Sequence, residues 1–165
     1  MTALTASEID PLALEQQVCF ALSITNRAVL AVYRPLLEPL GLTHPQYLVM
    51  LTLWDHQKAS TGPHRPLSVK EIAATLQMDS ATLSPMLKRL EALGLITRTR
   101  NAVDERSTDV DLTKGGVALR RRALAIPPAV VARLGVGAVA VDVGRSVAPE
   151  VGVALERQCV RAAMV

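Results

Sequence analysis

Apolar residues recur at helical spacing over residues 69–76 and again over residues 83–93. The first segment follows Ser68 and includes Glu71, a pair whose spacing is typical of a capping box at a helix start. Asp79, a good N-cap, stands before the second segment. Only a tight turn therefore separates the two predicted helices, and this order predicts a helix-turn-helix.

The second predicted helix has one apolar face and one polar face. The apolar face carries Leu83, Met86, Leu87, Leu90 and Leu93. On the polar side the candidate DNA-contacting residues are Ser80, Ala81, Thr82, Ser84, Lys88 and Arg89. We expect the small residues to face base edges and the two basic residues to neutralise phosphates. Pro85 leaves two possibilities, because the helix either begins near Ser84 or is kinked at the proline.

Two segments of alternating residues, 95–100 and 108–112, predict a pair of strands after this helix, which Gly94 is placed to end. The polar hairpin tip between the strands carries Asp104 and Arg106. Such a hairpin is typical of the wing of a winged helix-turn-helix. We expect Arg106, held by Asp104, to enter the minor groove, where narrow A·T-rich DNA concentrates negative potential.

Further helices are predicted on both sides of this DNA-binding part. Apolar spacing predicts a long first helix over residues 14–36 and a second over residues 46–56, and Thr113 is placed to cap another. Beyond Pro128 the chain is rich in Val, Ala and Gly, and its helix propensity is poor. We therefore expect one domain over residues 1–165, mainly α with a small β-wing: a winged helix-turn-helix over residues 68–113, flanked by helical dimerisation parts over residues 12–56 and 114–165.

The distribution of charge agrees with a nucleic-acid partner. The whole chain carries a formal net charge of +3, and residues 70–122 alone hold ten Lys or Arg against seven Asp or Glu. The basic excess therefore lies in the DNA-binding part, as contact with phosphates requires. The expected partner is double-stranded operator DNA, read as a pseudo-palindrome by a homodimer.

Other features of the sequence bear on the class of protein. The first ten residues do not resemble a signal peptide, and the apolar stretch 129–144 is interrupted by charges and too short to span a bilayer. Two cysteines are too few for a secreted disulfide framework. We therefore expect a cytoplasmic protein that does not enter a membrane.

Cys19 lies on the predicted first helix and is the candidate reactive residue. One interpretation is an inert buried thiol, since cysteine is among the most buried residue types. The other starts from the aromatic residues, which all lie between positions 20 and 54: Phe20, Tyr33, Tyr47 and Trp54. Tyrosine hydroxyls near the sulfur would stabilise a thiolate and make it reactive.

Several segments resemble the organic-hydroperoxide-sensing branch of the MarR regulators. They are the first-helix segments 18–22 and 33–37, the segment 42–48, the recognition-helix segment 78–90 and the wing segment 104–107. The resemblance covers about residues 12–128 and implies a dimeric winged-helix repressor. In such a repressor an organic hydroperoxide oxidises the first-helix cysteine and thereby weakens DNA binding. The resemblance also implies that a proline at position 85 is tolerated inside the recognition helix.

Tyr33 follows Cys19 by fourteen residues, which is about 21 Å along a continuous helix. Tyr33 therefore cannot touch the sulfur of its own chain. If it supports the thiolate, it must come from the partner subunit, so the sensor would be composite and the dimer obligatory. The resemblance implies the same, because tyrosines of that group reach the cysteine across the interface.

The sequence departs from the group in two places. His44 stands where the group usually has a second tyrosine; it either donates a hydrogen bond to the sulfur or only flanks a helix. Some members carry a resolving cysteine in the C-terminal half, and here the candidate is Cys159. Spacing does not decide between a resolving disulfide and a spare thiol.

Three other functions are weighed against a redox-sensing repressor. A metal site is disfavoured because the histidines are scattered and the cysteines lack partners at ligand spacing, and no cofactor is expected. A thiol peroxidase would need recycling, for which the chain has no Cys-x-x-Cys pair, so we expect no enzyme. A regulator released by a small phenolic ligand, with Cys19 incidental, is the remaining alternative.

Overall fold

The computed structural model describes residues 10–59, 65–101, 104 and 106–135. Six α-helices occur in this part of the chain: α1 (Val18–Leu37), α2 (His44–Ala59), α3 (Val69–Leu76), α4 (Ser80–Ala92), α5 (Lys114–Ala123) and α6 (Ile126–Leu134). Three strands, β1 (Leu67–Ser68), β2 (Ile96–Arg100) and β3 (Thr108–Leu112), form an antiparallel sheet in the order β1-β3-β2. The predicted fold class, mainly α with a small β-wing, is confirmed.

The first helix begins later than the periodicity predicted. Residues Leu14–Gln16 form a separate 3-10 turn, and Gln17 is extended before α1 starts at Val18. The side-chain amide of Gln17 donates to the carbonyls of Pro11 and Ala13 at 2.7 and 3.2 Å. These hydrogen bonds satisfy carbonyls of the turn that precedes α1 and hold Gln17 in its extended conformation. Because Gln17 is not helical, α1 does not extend back to residue 14.

The chain divides between Ile126 and Pro127 into two compact units. In the first unit the helices and the sheet share one core of aliphatic side chains. Its largest fully buried members are Leu37, Val49, Met50, Ile72, Leu83, Leu87, Leu90, Ile96 and Val110. Because α2, α3, α4 and β3 all contribute to this core, the helix-turn-helix and the wing are supported by the same packing.

A close approach fixes the start of α5 behind the recognition helix. The indole N–H of Trp54 donates to the carbonyl of Gly116 at 2.9 Å in a buried position. A Cβ added at Gly116 would collide with the carbonyl of Leu95, directly after the turn that ends α4. Thr113 caps α5 by accepting from the N–H of Gly116 at 3.0 Å, as predicted. The glycine is therefore required for α5 to pack this closely.

The helix α6 includes Pro127 and Pro128 in its first turn. Proline is compatible with that turn because the N–H groups there have no partner within the helix. The low helix propensity noted beyond Pro128 did not prevent a helix through Leu134. Among the described residues no helix has both the length and the apolar character needed to cross a membrane.

Candidate nucleic-acid interface and thiol site

The helices α3 and α4 begin at the side-chain caps that the sequence predicted. Ser68 Oγ accepts from the N–H of Glu71 at 3.2 Å, and Glu71 Oε2 accepts from the N–H of Ser68 at 2.8 Å. Asp79 Oδ1 accepts from the N–H of Thr82 at 2.7 Å. Each cap satisfies donors that a helix start leaves unpaired, so both helix starts are well defined.

Glu71 is also paired with Arg65, a residue that sequence analysis did not single out. The distance between Arg65 Nη2 and Glu71 Oε1 is 2.7 Å. The hydrogen bond from Arg65, followed by those from the main chain and hydroxyl of Ser68, lowers the pKa of Glu71 to about 2. The carboxylate therefore stays ionised at neutral pH and ties the chain at Arg65 to the start of the helix-turn-helix.

The connection between α3 and α4 is as tight as predicted. Gln77 adopts a left-handed conformation with φ of 51°, and the N–H of Met78 donates to the carbonyl of Ala73 at 2.9 Å. These bonds satisfy the carbonyls at the end of α3 and direct the chain straight into the Asp79 cap. The helix-turn-helix prediction is confirmed.

Pro85 lies inside α4, which runs from Ser80 to Ala92. The alternative in which the helix begins near Ser84 is therefore wrong. Pro85 cannot donate to the carbonyl of Ala81, four residues earlier, but both residues are exposed and water can satisfy that carbonyl. Helix α4 thus accommodates the proline on its outer face.

The faces of α4 agree with the predicted pattern except at its end. Leu83, Leu87 and Leu90 are buried. Five of the six candidate DNA-contacting residues are exposed and Ser84 is half-buried; the exposed ones are Ser80, Ala81, Thr82, Lys88 and Arg89. The prediction that Leu93 belongs to the apolar face is wrong, since it is 51% exposed. The helix ends at Ala92, so Leu93 leaves the helical path.

Two hydroxyl groups at the start of α4 already use their hydrogen atoms within the chain. Thr82 Oγ1 donates to Asp79 Oδ2, and Ser84 Oγ donates to the carbonyl of Ser80, both at 2.7 Å. Their oxygen lone pairs remain as acceptors. This arrangement suits contact with base amino groups, which are adenine N6 and cytosine N4 in the major groove.

The wing is a regular hairpin in which Arg98 pairs with Val110 across β2 and β3. At its tip the N–H of Arg106 donates to Asp104 Oδ1 at 3.1 Å, and the N–H of Ser107 donates to the carbonyl of Asp104 at 2.8 Å. Asp104 thus positions Arg106 through the main chain. The Arg106 side chain is exposed at the tip.

An ion pair that sequence analysis missed joins the recognition helix to the wing. Arg98 donates through Nε and Nη2 to Glu91 Oε2, at 2.9 and 2.7 Å. The Arg98 side chain is 25% exposed and that of Glu91 is 37% exposed. Opposite charges seven positions apart across a helix end are common in sequences, so the pattern gave no specific signal for this contact.

Cys19 and Tyr33 lie on the same uninterrupted helix, α1. Cys19 is exposed in the chain by itself, near the N-terminal end of the helix. Tyr33 lies about 21 Å further along, because each residue advances a helix by about 1.5 Å. The structure therefore keeps the two residues of one chain apart. Cys159 lies outside the described residues.

Tyr33 belongs to a cluster of rings together with His44, Tyr47 and Trp54. The ring centroids lie 4.8 Å apart for Tyr33 and His44, 6.2 Å for Tyr33 and Tyr47, and 6.4 Å for Tyr47 and Trp54. Burial lowers the pKa of His44, and burial followed by the proximity of Tyr33 raises the pKa of Tyr47. Both shifts favour the uncharged forms of His44 and Tyr47 at neutral pH.

A cavity of about 460 Å³ opens beside this cluster. It lies between the C-terminal half of α1 and the start of α2, and its lining includes Leu30, Arg34, Leu42 and His44. The cavity is mainly apolar, and its lining includes the guanidinium of Arg34 and the carboxylate of Glu38, so an apolar group with a polar end that Arg34 can bind fits its chemistry.

Comparison with known proteins agrees with this architecture. The sequence profile of the SarA/Rot transcriptional regulators matches residues 31–121. The organic hydroperoxide resistance transcriptional regulator of Bacillus subtilis (strain 168) is 44% identical over 121 residues, which is 73% of this chain and 77% of that protein. A MarR-family transcriptional regulator from Rhodococcus sp. RHA1 superposes with a TM-score of 0.69 at 25% identity, covering 85% of this chain and 96% of that one.

This chain belongs to the MarR family, in its organic hydroperoxide resistance regulator group. As a MarR-type regulator it is a DNA-binding transcriptional regulator. The overoxidised AbfR of Staphylococcus epidermidis, crystallised bound to DNA, is also similar, at 31% identity and a TM-score of 0.66, covering 88% of this chain and 94% of that one.

Proposed function

We propose that this MarR-type regulator is a redox-sensing repressor, in which an organic hydroperoxide oxidises Cys19 and the protein then releases operator DNA. The observation that carries the proposal is the separation of an exposed Cys19 from Tyr33 on one helix, with Tyr33 held against His44. Such an arrangement forms a complete thiol site only when two subunits combine.

A homodimer is supported by the apolar surface of the N-terminal part of the chain. Large hydrophobic side chains there are exposed in the chain by itself: Leu14 by 62%, Val18 by 74%, Leu22 by 64% and Ile24 by 48%. Exposed apolar patches of this kind are typical of protein interfaces. We infer that α1 packs against α1 and α2 of a second copy, which brings Cys19 of one subunit to Tyr33 and His44 of the other.

The chemistry at that composite site follows from its groups. The Cys19 thiolate attacks the terminal oxygen of a hydroperoxide, an S–O bond forms, and the O–O bond breaks. The hydroperoxide is reduced to an alkoxide, which takes up a proton and leaves as an alcohol, and Cys19 becomes a sulfenic acid. Hydroxyl and imidazole donors beside the sulfur would stabilise the thiolate before the attack.

In the DNA-bound form, the exposed face of α4 is proposed to lie in the major groove and Arg106 in the adjacent minor groove. Ser80, Ala81, Thr82 and Ser84 then face base edges, while Lys88 and Arg89 meet phosphates. Two subunits related by a two-fold axis would read half-sites about one helical turn apart.

Oxidation is proposed to act through the dimer interface, since Cys19 does not belong to the DNA-contacting face. The AbfR of Staphylococcus epidermidis is bound to DNA in an overoxidised state. By analogy, added oxygen alone need not separate this regulator from DNA. The stronger candidate for the released state is a disulfide, which forms when the thiol of Cys159 attacks the sulfenic sulfur of Cys19, the S–O bond breaks and water leaves. The shift of helices at the interface would alter the spacing of the two recognition helices.

The proposal is tested by DNA release with one equivalent of tert-butyl hydroperoxide, using wild-type protein, Cys19→Ser and Cys159→Ser. We expect wild type to lose DNA and Cys19→Ser to stay bound. Cys159→Ser should consume the Cys19 thiol yet stay bound, because the disulfide cannot form; its release would rule out the disulfide as the released state. Intact mass and non-reducing gels identify the product as a sulfenate, a disulfide or a higher oxide. Release of Cys19→Ser to the same extent as wild type would overturn the proposal.

A second candidate function is release by a small ligand, with Cys19 incidental. The cavity beside the Tyr33 cluster favours it, because its volume of about 460 Å³ lies in the range of small-molecule sites and Arg34 lines it. This function would be supported by a phenolic carboxylate that releases DNA from the Cys19→Ser variant but not from the double variant that carries both Cys19→Ser and Arg34→Gln.

A further inference from the structure

A polar groove of about 340 Å³ lies between the recognition helix and the wing. One side is formed by the start of α3 and the outer face of α4, with Lys70, Ser80 and Ser84. The other side is formed by the wing, with Arg98, Ser107 and Thr108 among its residues. Asp104 and Arg106 of the wing tip also line the groove, and with Ser80 and Ser84 they were candidates in the sequence. Lys70, Arg98, Ser107 and Thr108 were not, because they meet the others only in the fold.

The geometry of B-DNA determines which part of the duplex lies over this groove of the protein. A major groove and the adjacent minor groove of B-DNA are separated by one sugar-phosphate strand. If α4 lies in the former and Arg106 in the latter, that strand crosses the space between α4 and the wing tip. This step rests on the placement of α4 and Arg106 proposed above and is independent of peroxide sensing.

The groups in the groove suit a phosphodiester. Lys70 is exposed and, within the part of the chain that the structure describes, its ammonium has no ion-pair partner. The carboxylate of Asp104, the acidic group of this groove, already accepts a hydrogen bond from the N–H of Arg106. The hydroxyls of Ser107 and Thr108 add possible donors at the wing side.

Arg98 is held in the groove by Glu91. Its Nε and Nη2 both donate to Glu91 Oε2, which fixes the plane of the guanidinium. In the described residues Nη1 has no partner, so its two hydrogen atoms remain for a further acceptor. Glu91 therefore acts as a positioning residue for Arg98 and reduces the flexibility that a free arginine would lose on binding.

We propose that this groove binds the phosphodiester that separates the two DNA grooves, with Lys70 and Nη1 of Arg98 as its cationic partners and Glu91 as the positioning residue. The wing and the recognition helix are then joined by the Glu91–Arg98 pair inside the protein and by one phosphate of the operator outside it. Such a contact supplies affinity and register on the duplex without reading sequence.

The salt dependence of binding to a random-sequence duplex of about 30 base pairs tests the phosphate contact, since each neutralised phosphate contributes about 0.9 to the slope of log K against log salt. Lys70→Gln is expected to reduce the slope by about 0.9 for each subunit in contact. Lys114→Gln, an equal loss of charge at the exposed start of α5 beyond the base of the wing, is the matched control and should leave the slope unchanged. Equal salt slopes for Lys70→Gln and Lys114→Gln would contradict the contact between Lys70 and the phosphate.

The position of the phosphate is tested on duplexes that the protein itself selects from a random pool. A neutral methylphosphonate is placed at each backbone position of one half-site. At the position between the footprints of α4 and the wing, it should weaken wild-type binding and have little further effect on Lys70→Gln. If the loss of affinity caused by the methylphosphonate were the same for wild type and Lys70→Gln at every position, the proposal would be contradicted.

The DNA affinity of Glu91→Ala tests whether Glu91 positions Arg98. Glu91→Ala removes a negative charge near DNA, so electrostatics alone predicts tighter binding. If Glu91 positions Arg98, the variant instead binds more weakly while it remains folded, as circular dichroism can verify. Tighter binding would refute the positioning role. If wild type bound no duplex at all, the proposed placement of α4 and Arg106 on DNA would be wrong. That outcome differs from the ones that contradict only the phosphate contact.

Discussion

The imidazole of His44 lies edge-on to the ring of Tyr33, with ring centroids 4.8 Å apart and ring planes at 69°. Tyr33 belongs to α1 and His44 is the first residue of α2, so this contact joins the two helices. Burial lowers the pKa of His44 from its ordinary value of 6.5, and the ring is therefore neutral at pH 7. A neutral imidazole can still donate one hydrogen bond, as the hydroxyl of a tyrosine would.

We predict that His44→Tyr retains peroxide sensing, because a tyrosine also presents a donor beside Tyr33. The rate at which tert-butyl hydroperoxide consumes the Cys19 thiol at pH 7.5 should stay within about threefold of wild type, while His44→Phe, which lacks any donor, should be slower by about tenfold, the usual effect of losing one hydrogen bond to a charged group. Equal rates for His44→Phe and wild type would show that His44 does not serve the thiol.

The same histidine makes stability depend on pH. Its pKa is lower in the folded protein than in the unfolded chain, so the stability it contributes is fully present above pH 6.5 and is lost as pH falls through the folded pKa. Urea denaturation between pH 7.5 and 5 should show wild type losing stability relative to His44→Tyr. A constant difference across this range would contradict the burial of a neutral ring.

The free energy of unfolding should also depend on pH through Glu71, in a more acidic range. Its pKa falls from 4.5 to about 2 on folding, so its contribution is present above pH 4.5 and is lost as pH falls towards 2. Since its side chain is 40% exposed, solvent screening limits the effect, and Glu71→Gln should cost about 1 kcal/mol at pH 7. The cost should shrink at pH 3. A cost that stays the same at pH 3 would contradict the pairing of the Glu71 carboxylate with Arg65 and Ser68.

The Trp54–Gly116 hydrogen bond should be sensitive to both partners. Trp54→Phe removes the indole donor while the Gly116 carbonyl keeps its place in the hydrogen bonding of α5, so the cost should be about 0.5–1.5 kcal/mol in the free energy of unfolding, the usual value of one hydrogen bond. Gly116→Ala forces a Cβ against the carbonyl of Leu95 and should cost about 1–3 kcal/mol through strain. Gly115→Ala is the matched comparison and should cost less, because its Cβ would lie 3.1 Å from the carbonyl oxygen of Gly94, a tight contact that a shift of a few tenths of an ångström relieves. Equal stabilities for the two alanine variants would contradict the close packing.

Arg106 should contribute to DNA affinity from the minor groove. Arg106→Ala is predicted to lower affinity and to reduce the slope of log K against log salt by about 0.9 per subunit. It should weaken binding most on duplexes with an A·T-rich segment at the wing position, because the narrow minor groove there attracts arginine. An unchanged affinity and slope would refute the assignment of the wing.

The elements with local signals were predictable from the sequence. The caps at Ser68 and Asp79, and the two strands of the wing, depend on neighbours within a few residues, and each was confirmed. The short strand β1 was missed, because two residues carry no periodicity and Leu67 becomes a strand only by pairing with Val110. The Trp54–Gly116 hydrogen bond was missed because long-range packing creates it. The Glu91–Arg98 pair was missed because opposite charges seven positions apart give no specific signal.

For the candidate site, sequence reasoning separated Cys19 from Tyr33 correctly because both lie on one continuous helix. The contact of His44 with Tyr33 was not derivable, since it depends on how the chain reverses at Gly41, whose φ is 69°, between α1 and α2. The meeting of Cys19 with Tyr33 of a second subunit is a prediction that requires a dimer.

The central claim is a thiol site shared between subunits, and heterodimers with a single Cys19 test it most directly. In one heterodimer one chain carries Cys19→Ser and the other Tyr33→Phe; in the second, one chain carries both changes and the other is wild type. The rate at which tert-butyl hydroperoxide consumes the remaining Cys19 is measured in each. The account predicts a wild-type rate in the first, where the intact thiol meets an intact partner tyrosine, and a rate about tenfold slower in the second, as expected for a lost hydrogen bond to a thiolate. Equal rates, or the reverse order, would contradict it.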